Sequence, residues 1–177
     1  MGISHIALAV KDIEATHRFY TEAMGFTLVK VEIVPQKGTF SRHVFYSTGS
    51  PSDQMIAFWD LSATAAGRDL KTDISRDLGL DPLTNHLAFQ AGSVEDLDRR
   101  KSHWLSLGHD VLEIDHGWIR SVYTEDPDGI TVEFAILTKP FTPEDAEEAL
   151  VLLRSEAPPL PDSPPKYRFH RARDFKS

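Results

Sequence analysis

The sequence contains no cysteine, which removes disulfides, thiolate metal sites and cysteine nucleophiles from consideration. It has no apolar run long enough to span a bilayer and no charged-then-apolar opening of the secretory kind, so a cytoplasmic location is expected. Basic residues are outnumbered, 19 Lys and Arg against 27 Asp and Glu, for a net charge of −8. Nucleic acid and anionic membranes both ask for a basic surface, so neither is expected as a partner. The one basic stretch interleaved with aromatics, Lys166 to Lys176, is read instead as a tail packed on its own chain or on a neighbouring subunit. What is present is 177 residues with 41% hydrophobic content, enough to fill one domain or two small halves sharing a core.

Periodicity organises the chain into two similar halves. In Ile3 to Val10, alternation sets Ile6, Leu8 and Val10 on one face and His5, Ala7 and Ala9 on the other. Asp12 is a good N-cap for a helix whose apolar stripe is Ile13, Phe19, Tyr20 and Met24 and which stops at Gly25. Strands are expected at Phe26 to Val34, Phe40 to Ser47 and Gln54 to Trp59. The pattern then repeats: Asn85 to Ala91 alternates in the same phase, and Ser93 caps a helix carrying Val94, Leu97, Lys101, Trp104 and Leu105, ended by Gly108. Strands follow at His109 to Ile114, Trp118 to Glu125 and Ile130 to Leu137. The expected fold is therefore α+β, with a βαβββ module over residues 1–61, a connector with little regular structure over 62–83, and a second module over 84–137. Residues 138–177 form a C-terminal helix, begun at Thr142-Pro143, and an extended tail in which Ala157 to Pro165, APPLPDSPP, cannot be helical.

The internal repeat aligns His5 with His86 and places His43 where the second half has Ser121. In the second half, Asp126-Pro127-Asp128-Gly129 has the chemistry of a type I turn with glycine in the left-handed position, closing a hairpin. Counting outward sets Tyr123 opposite Glu133, with Cβ atoms about 4.5–5.5 Å apart on one face. Two imidazoles and a carboxylate, His5, His86 and Glu133, make a mixed donor set suited to Fe(II), Mn(II) or Zn(II) with coordination positions left for substrate or water.

SHIALAV followed by a helix, NHLAFQ followed by a helix, and SVYTEDPDGITVEF together resemble the vicinal oxygen chelate superfamily over roughly residues 1–137. That superfamily includes glyoxalases, type I extradiol dioxygenases, fosfomycin-resistance transferases and bleomycin-resistance proteins. The resemblance implies an open, cup-shaped mixed sheet around a metal, held by His5, His86 and Glu133. The position that supplies a fourth ligand in glyoxalases is Ala57 here, which leaves three. That pattern resembles the extradiol dioxygenases, which use Fe(II), and the fosfomycin transferases, which prefer Mn(II). Extradiol enzymes also place a Tyr before the ligand Glu as Tyr123 stands before Glu133, and use a nearby His as acid and base, for which His43 is the first candidate and His116 the alternative. The implied activity is oxidoreductive cleavage of a catechol-like diol with O2, as in aromatic catabolism, by a homo-oligomer. The alternatives are a thiol transferase or isomerase of the fosfomycin-resistance or glyoxalase kind, and a non-catalytic sequestering protein. Well-known extradiol enzymes are about twice this length, with an inactive copy of the paired module in front, so the single pair here departs from their pattern.

Overall fold

The structure is a computed structural model and describes residues 2–176. The first module runs β1 (His5–Val10), α1 (Ile13–Arg18) with a wider π-helical turn Phe19–Ala23, β2 (Thr27–Gln36), β3 (Thr39–Ser47) and β4 (Met55–Asp60). The second runs β5 (His86–Gln90), α2 (Val94–Ser106), β6 (Val111–Asp115), β7 (Ile119–Glu125) and β8 (Thr131–Leu137). Helix α3 (Pro143–Arg154) and strand β9 (Lys166–His170) follow. These are the two βαβββ modules expected from the repeat. Among the described residues, no helix is long and apolar enough to cross a membrane.

Each module makes one sheet, ordered β1-β4-β3-β2 in the first and β5-β8-β7-β6-β9 in the second. β1 runs parallel to β4, and the other pairs of the first sheet are antiparallel. The helices begin where their caps place them. Asp12 Oδ1 accepts from the Glu14 and Ala15 amides, Ser93 Oγ accepts from Asp96 N, and Thr142 with Asp145 forms a reciprocal capping box with Pro143 at the first helical position.

The chain clusters into two compact units. One runs to Leu87 and includes Glu125–Val132, while the other comprises Ala88–Thr124 and the chain from Glu133 onward. In the first, Tyr20 packs on Phe58 at 4.4 Å between ring centroids, with Phe26 and Tyr46 close by, and Val10, Val44 and Ile56 complete a buried core. In the second, Trp104 lies 5.3 Å from Phe134, Arg100 sits over the Phe134 ring, and Leu97, Val111 and Val122 are fully buried. Burial of side chains of this size contributes about 1.5–3 kcal/mol each.

Three expectations are modified. The apolar face of β1 is buried only toward its end: Val10 is 1% exposed but Ile6 is 40% exposed, because β1 is an edge strand. Residues 62–83 are tied down rather than loose. Two 3-10 turns, Ala65–Gly67 and Arg76–Leu78, lie in this segment, and it clasps the hairpin tip. Thr72 Oγ1 donates to Asp128 O, Arg76 pairs with Asp73 and Glu125, and Thr131 Oγ1 donates to Pro82 O. Helix α3 forms where its signals put it, but its apolar residues Leu150, Val151, Leu152 and Leu153 are exposed rather than packed.

Candidate active site

Strand periodicity assigns the functional face of the first sheet. Val44, Tyr46, Ile56 and Phe58 point into the core, so His43, Phe45, Met55, Ala57 and Trp59 share the opposite face. The register extends that face to β1, with His5 beside Met55, Ala7 beside Ala57 and Ala9 beside Trp59. It also sets His43 beside Trp59 and Phe45 beside Ala57. Ala57 is fully buried and brings no donor atom to this face. Asp60, three positions on, faces the other way and is consumed by Arg42 at 2.6 Å and the Ser62 amide at 3.0 Å.

The result is an aromatic wall with one polar atom left over. The His43 ring stacks on Trp59, 3.9 Å between centroids and 10° from parallel, and lies 4.2 Å from Phe45. The His5 ring meets Phe45 edge-on at 5.7 Å. His43 Nε2 is buried with no hydrogen-bond partner among the described residues. Burial holds its pKa below the ordinary imidazole value; Glu32 opposes that shift and His5 adds to it. A neutral imidazole with an unpaired buried nitrogen is open to one more hydrogen bond, as acceptor in the Nδ1–H tautomer and as donor in the Nε2–H tautomer.

Both metal-type histidines have one ring nitrogen engaged locally. His86 Nδ1 lies 2.7 Å from Leu83 O, a group that only accepts, so Nδ1 carries the proton and the lone pair of the neutral ring sits on Nε2. His5 Nδ1 lies 3.3 Å from Ser4 Oγ. The Leu83 carbonyl fixes the His86 tautomer that a metal-binding imidazole needs, whereas the Ser4 hydroxyl can donate to or accept from His5.

In the other unit, the hairpin brings Tyr123 and Glu133 into hydrogen-bonding contact, as the turn chemistry predicts. Burial, aided by the Glu133 carboxylate, pushes the Tyr123 phenol up to about 12, so it is a donor at neutral pH. Ser121 Oγ is buried beside it on the same face and opposes the rise. The turn itself is rigid: Asp126 N donates to Ile130 O, Gly129 N to Asp126 O, and Gly129 has φ +84°.

His116 occupies the β6–β7 turn, where its amide donates to Ile119 O. It lines a surface cavity of about 350 Å³ with Asp115, Trp118, Lys139 and Lys166. Among the described residues, no group of three or more His, Asp or Glu side chains is gathered closely enough to hold a metal ion. The structure thus brings Tyr123 to Glu133 within one unit and sets His5 and His43 on one face within the other. Trp59 and Phe45 were not singled out from sequence; strand parity could have found them, since Phe45 follows His43 by two positions and Trp59 follows Ala57 by two.

The fold agrees with comparison to known proteins. Residues 2–134 match the sequence profile of the Glyoxalase/Bleomycin resistance protein/Dioxygenase superfamily, and the chain belongs to that superfamily. Among solved structures it is similar in fold to a glyoxylase/bleomycin resistance protein/dioxygenase domain from Frankia sp. EAN1pec, with 20% identity and TM-score 0.57 over 77% of this chain and 98% of that one. It is similar to the fosfomycin resistance protein FosX from Listeria monocytogenes complexed with Mn(II) and sulfate, with 22% identity and TM-score 0.51 over 82% and 97% of the two chains. It is also similar to lactoylglutathione lyase from Agrobacterium tumefaciens, with 23% identity and TM-score 0.50 over 76% and 92%. At these identities the likeness establishes the fold, and the superfamily contains both enzymes and divalent-metal binders.

Proposed function

We propose that the protein is a metal-dependent dioxygenase that opens the ring of a catechol-like diol beside its two hydroxyls. The observation that carries this reading is the aromatic wall of His43, Trp59 and Phe45 with its unpaired His43 Nε2. A flat aromatic ring suits such a wall, because offset and edge-on contacts between rings contribute about 0.5–1.5 kcal/mol each beyond area burial. His5, His86 and Glu133 would hold the metal, Fe(II) first and Mn(II) or Zn(II) as alternatives, since two imidazoles and a carboxylate leave positions open. The donor chemistry fits: the His86 ring is oriented by its Nδ1 contact to Leu83 O, and Glu133 is a buried carboxylate. When bound, the metal supplies the charge that holds both oxygens of a vicinal diol and lowers their pKa.

The chain's own groups do the rest. His43 Nε2 takes the proton of the second hydroxyl and later returns it, which general acid–base groups do for about 10²–10⁴-fold in rate. Tyr123, protonated at neutral pH, gives its one O–H to Glu133; with Glu133 engaged on the metal, that O–H would turn to a substrate oxygen. His116, on a turn above a separate cavity, is the alternative proton carrier. The reading requires metal binding to bring three side chains to one ion, and so entails a metal-dependent rise in Tm.

The test is anaerobic purification, measurement of bound metal, then addition of catechols under oxygen. Oxygen uptake matched to a yellow ring-opened product is expected from the Fe(II)-loaded protein. Bound metal without oxygen uptake on any catechol overturns the dioxygenase reading, and Mn(II)-dependent turnover of a small chelating oxyanion would replace it with a transferase or isomerase. Absence of metal affinity would leave a sequestering protein. Homo-oligomerisation belongs to the same reading, supported by the exposed apolar residues Val29, Val31 and Ile33 on β2, an edge strand.

A further inference from the structure

Helix α3 and strand β9 both lie beyond residue 134, where the superfamily match ends, and both leave apolar side chains in water. One side of α3 faces its own chain: Ala149 and Leu152 line a cavity of about 450 Å³ with Trp118 and Phe141. At about 100° per residue, the opposite side carries Ala146, Leu150 and Leu153. Leu153 is 80% exposed, against 39% for Leu152. A helix of 12 residues is marginal in water on propensity alone and draws its stability from packed faces, yet this apolar side meets solvent. The first half of the helix is acidic, and Glu144, Glu147 and Glu148 form no ion pair among the described residues.

Strand β9 offers the complement. Tyr167 and Phe169 share one face and are both more than half exposed. Arg171, with its guanidinium 4.8 Å over the Phe169 ring, and then Arg173 follow them, and their side chains are 53% and 80% exposed. The platform is fixed: β9 is laddered to β6, the Ala172 amide donates to Asp110 Oδ1 at 2.8 Å, and His170 Nε2 meets Glu113 at 2.9 Å. The lengths agree as well, since 12 helical residues span about 18 Å and five strand residues about 17 Å. Within the chain these two surfaces leave each other in solvent. A second copy brings both, and a two-fold arrangement makes the contact twice, helix on strand and strand on helix.

We propose that α3 of one chain seats Leu150 and Leu153 on Tyr167 and Phe169 of a second copy, with its acidic first half over Arg171 and Arg173. The helix then runs opposite to the strand it covers, its acidic start at the basic end. Aromatic anchors in the middle and charges at the margin are the usual build of a specific interface. The contact is separate from the β2 edge and does not rest on the metal site proposed above.

The test uses the full-length protein, which has no cysteine of its own. In the double variant Leu153→Cys with Phe169→Cys, mild oxidation is expected to link chains in pairs, read as a doubled mass that returns to single on reduction. A control pair, Ser52→Cys with Phe169→Cys, is expected to stay unlinked. Sedimentation of the wild type is expected to show a reversible dimer, which Leu150→Asp with Leu153→Asp weakens about tenfold or more. A disulfide formed within one chain would put α3 on its own β9 and overturns the proposal, as does failure to link or equal linking of the control. A wild type that is monomeric at every concentration overturns it too. So does a dimer indifferent to the aspartate pair, which would pass the contact to β2.

Discussion

Replacing Glu113 by Gln tests whether one buried carboxylate holds the C-terminal strand to the second module. Glu113 Oε2 accepts from Lys101 Nζ and from His170 Nε2, both at 2.9 Å, and Oε1 accepts from Arg120 Nη2 at 2.9 Å. Burial alone would raise its pKa, but hydrogen bonds from these three donors outweigh it and hold the carboxyl at about 2 against the ordinary 4.5. That difference is about 2.5 pH units at about 1.4 kcal/mol each, or about 3 kcal/mol of stability tied to the ionised form. Because the folded pKa is depressed, the contribution is complete above pH 4.5 and is lost as pH falls through 2. Lys101 keeps Asp98 at 2.9 Å and Arg120 has Asp98 at 3.7 Å, so the substitution removes the carboxylate without stranding the cations. Urea unfolding at pH 7 should show Glu113→Gln less stable by up to about 3 kcal/mol, with the gap closing between pH 4.5 and 2. Amide exchange should speed up first at Lys166–His170, because His170 loses its partner. A gap below about 0.5 kcal/mol at pH 7, or one of equal size at pH 7 and pH 2.5, would refute the assignment.

The buried carboxyl of Asp126 predicts the opposite pH slope. It accepts from the Asp128 and Ile130 amides and from Tyr20 Oη, and burial first, with the Asp128 charge adding, raises its pKa to about 6. A raised acid contributes its stability below 3.8 and loses it as pH rises through 6, so Asp126→Asn should gain on wild type by up to about 3 kcal/mol between pH 4 and 7, read by unfolding at both values. Gly129→Ala should lower Tm by several degrees in calorimetry, since φ is +84° and a Cβ would stand 2.6 Å from Asp73 Oδ2, which is held by Arg76. His43→Gln should cut kcat by about 10²–10⁴-fold at unchanged metal content; unchanged turnover would pass the proton role to His116 or water.

Periodicity and turn chemistry made the two modules legible because each strand buries one face against one helix, and that requirement writes itself into alternate residues. The caps Asp12, Ser93 and Thr142 and the Asp126–Gly129 turn are local rules obeyed locally. What stayed hidden depends on pairing. KYRFH alternates like many strands, and nothing within it says that it will lie on β6 rather than on another chain. The connector's anchors, Thr72 to Asp128 and Arg76 to Glu125, reach across the sequence and leave no local signal. The Glu113 network has the same character, drawing Lys101, Arg120 and His170 from three elements.

The repeat explains why the remaining clue lies where it does. Position 43 in the first module and position 121 in the second are equivalents, and they hold the two buried side-chain atoms left without a hydrogen bond among the described residues, His43 Nε2 and Ser121 Oγ. An unsatisfied buried polar atom costs about 1–3 kcal/mol, and a valine or alanine at either strand position would avoid it. One such atom could be an accident of packing. Two at the same place in both modules, one beside His5 and Trp59 and the other beside Tyr123, are a cost that folding does not repay. Local rules fail in this way where a residue has been chosen for what it binds rather than for what it packs against, and on the proposed reading each position would offer a polar contact to a ligand.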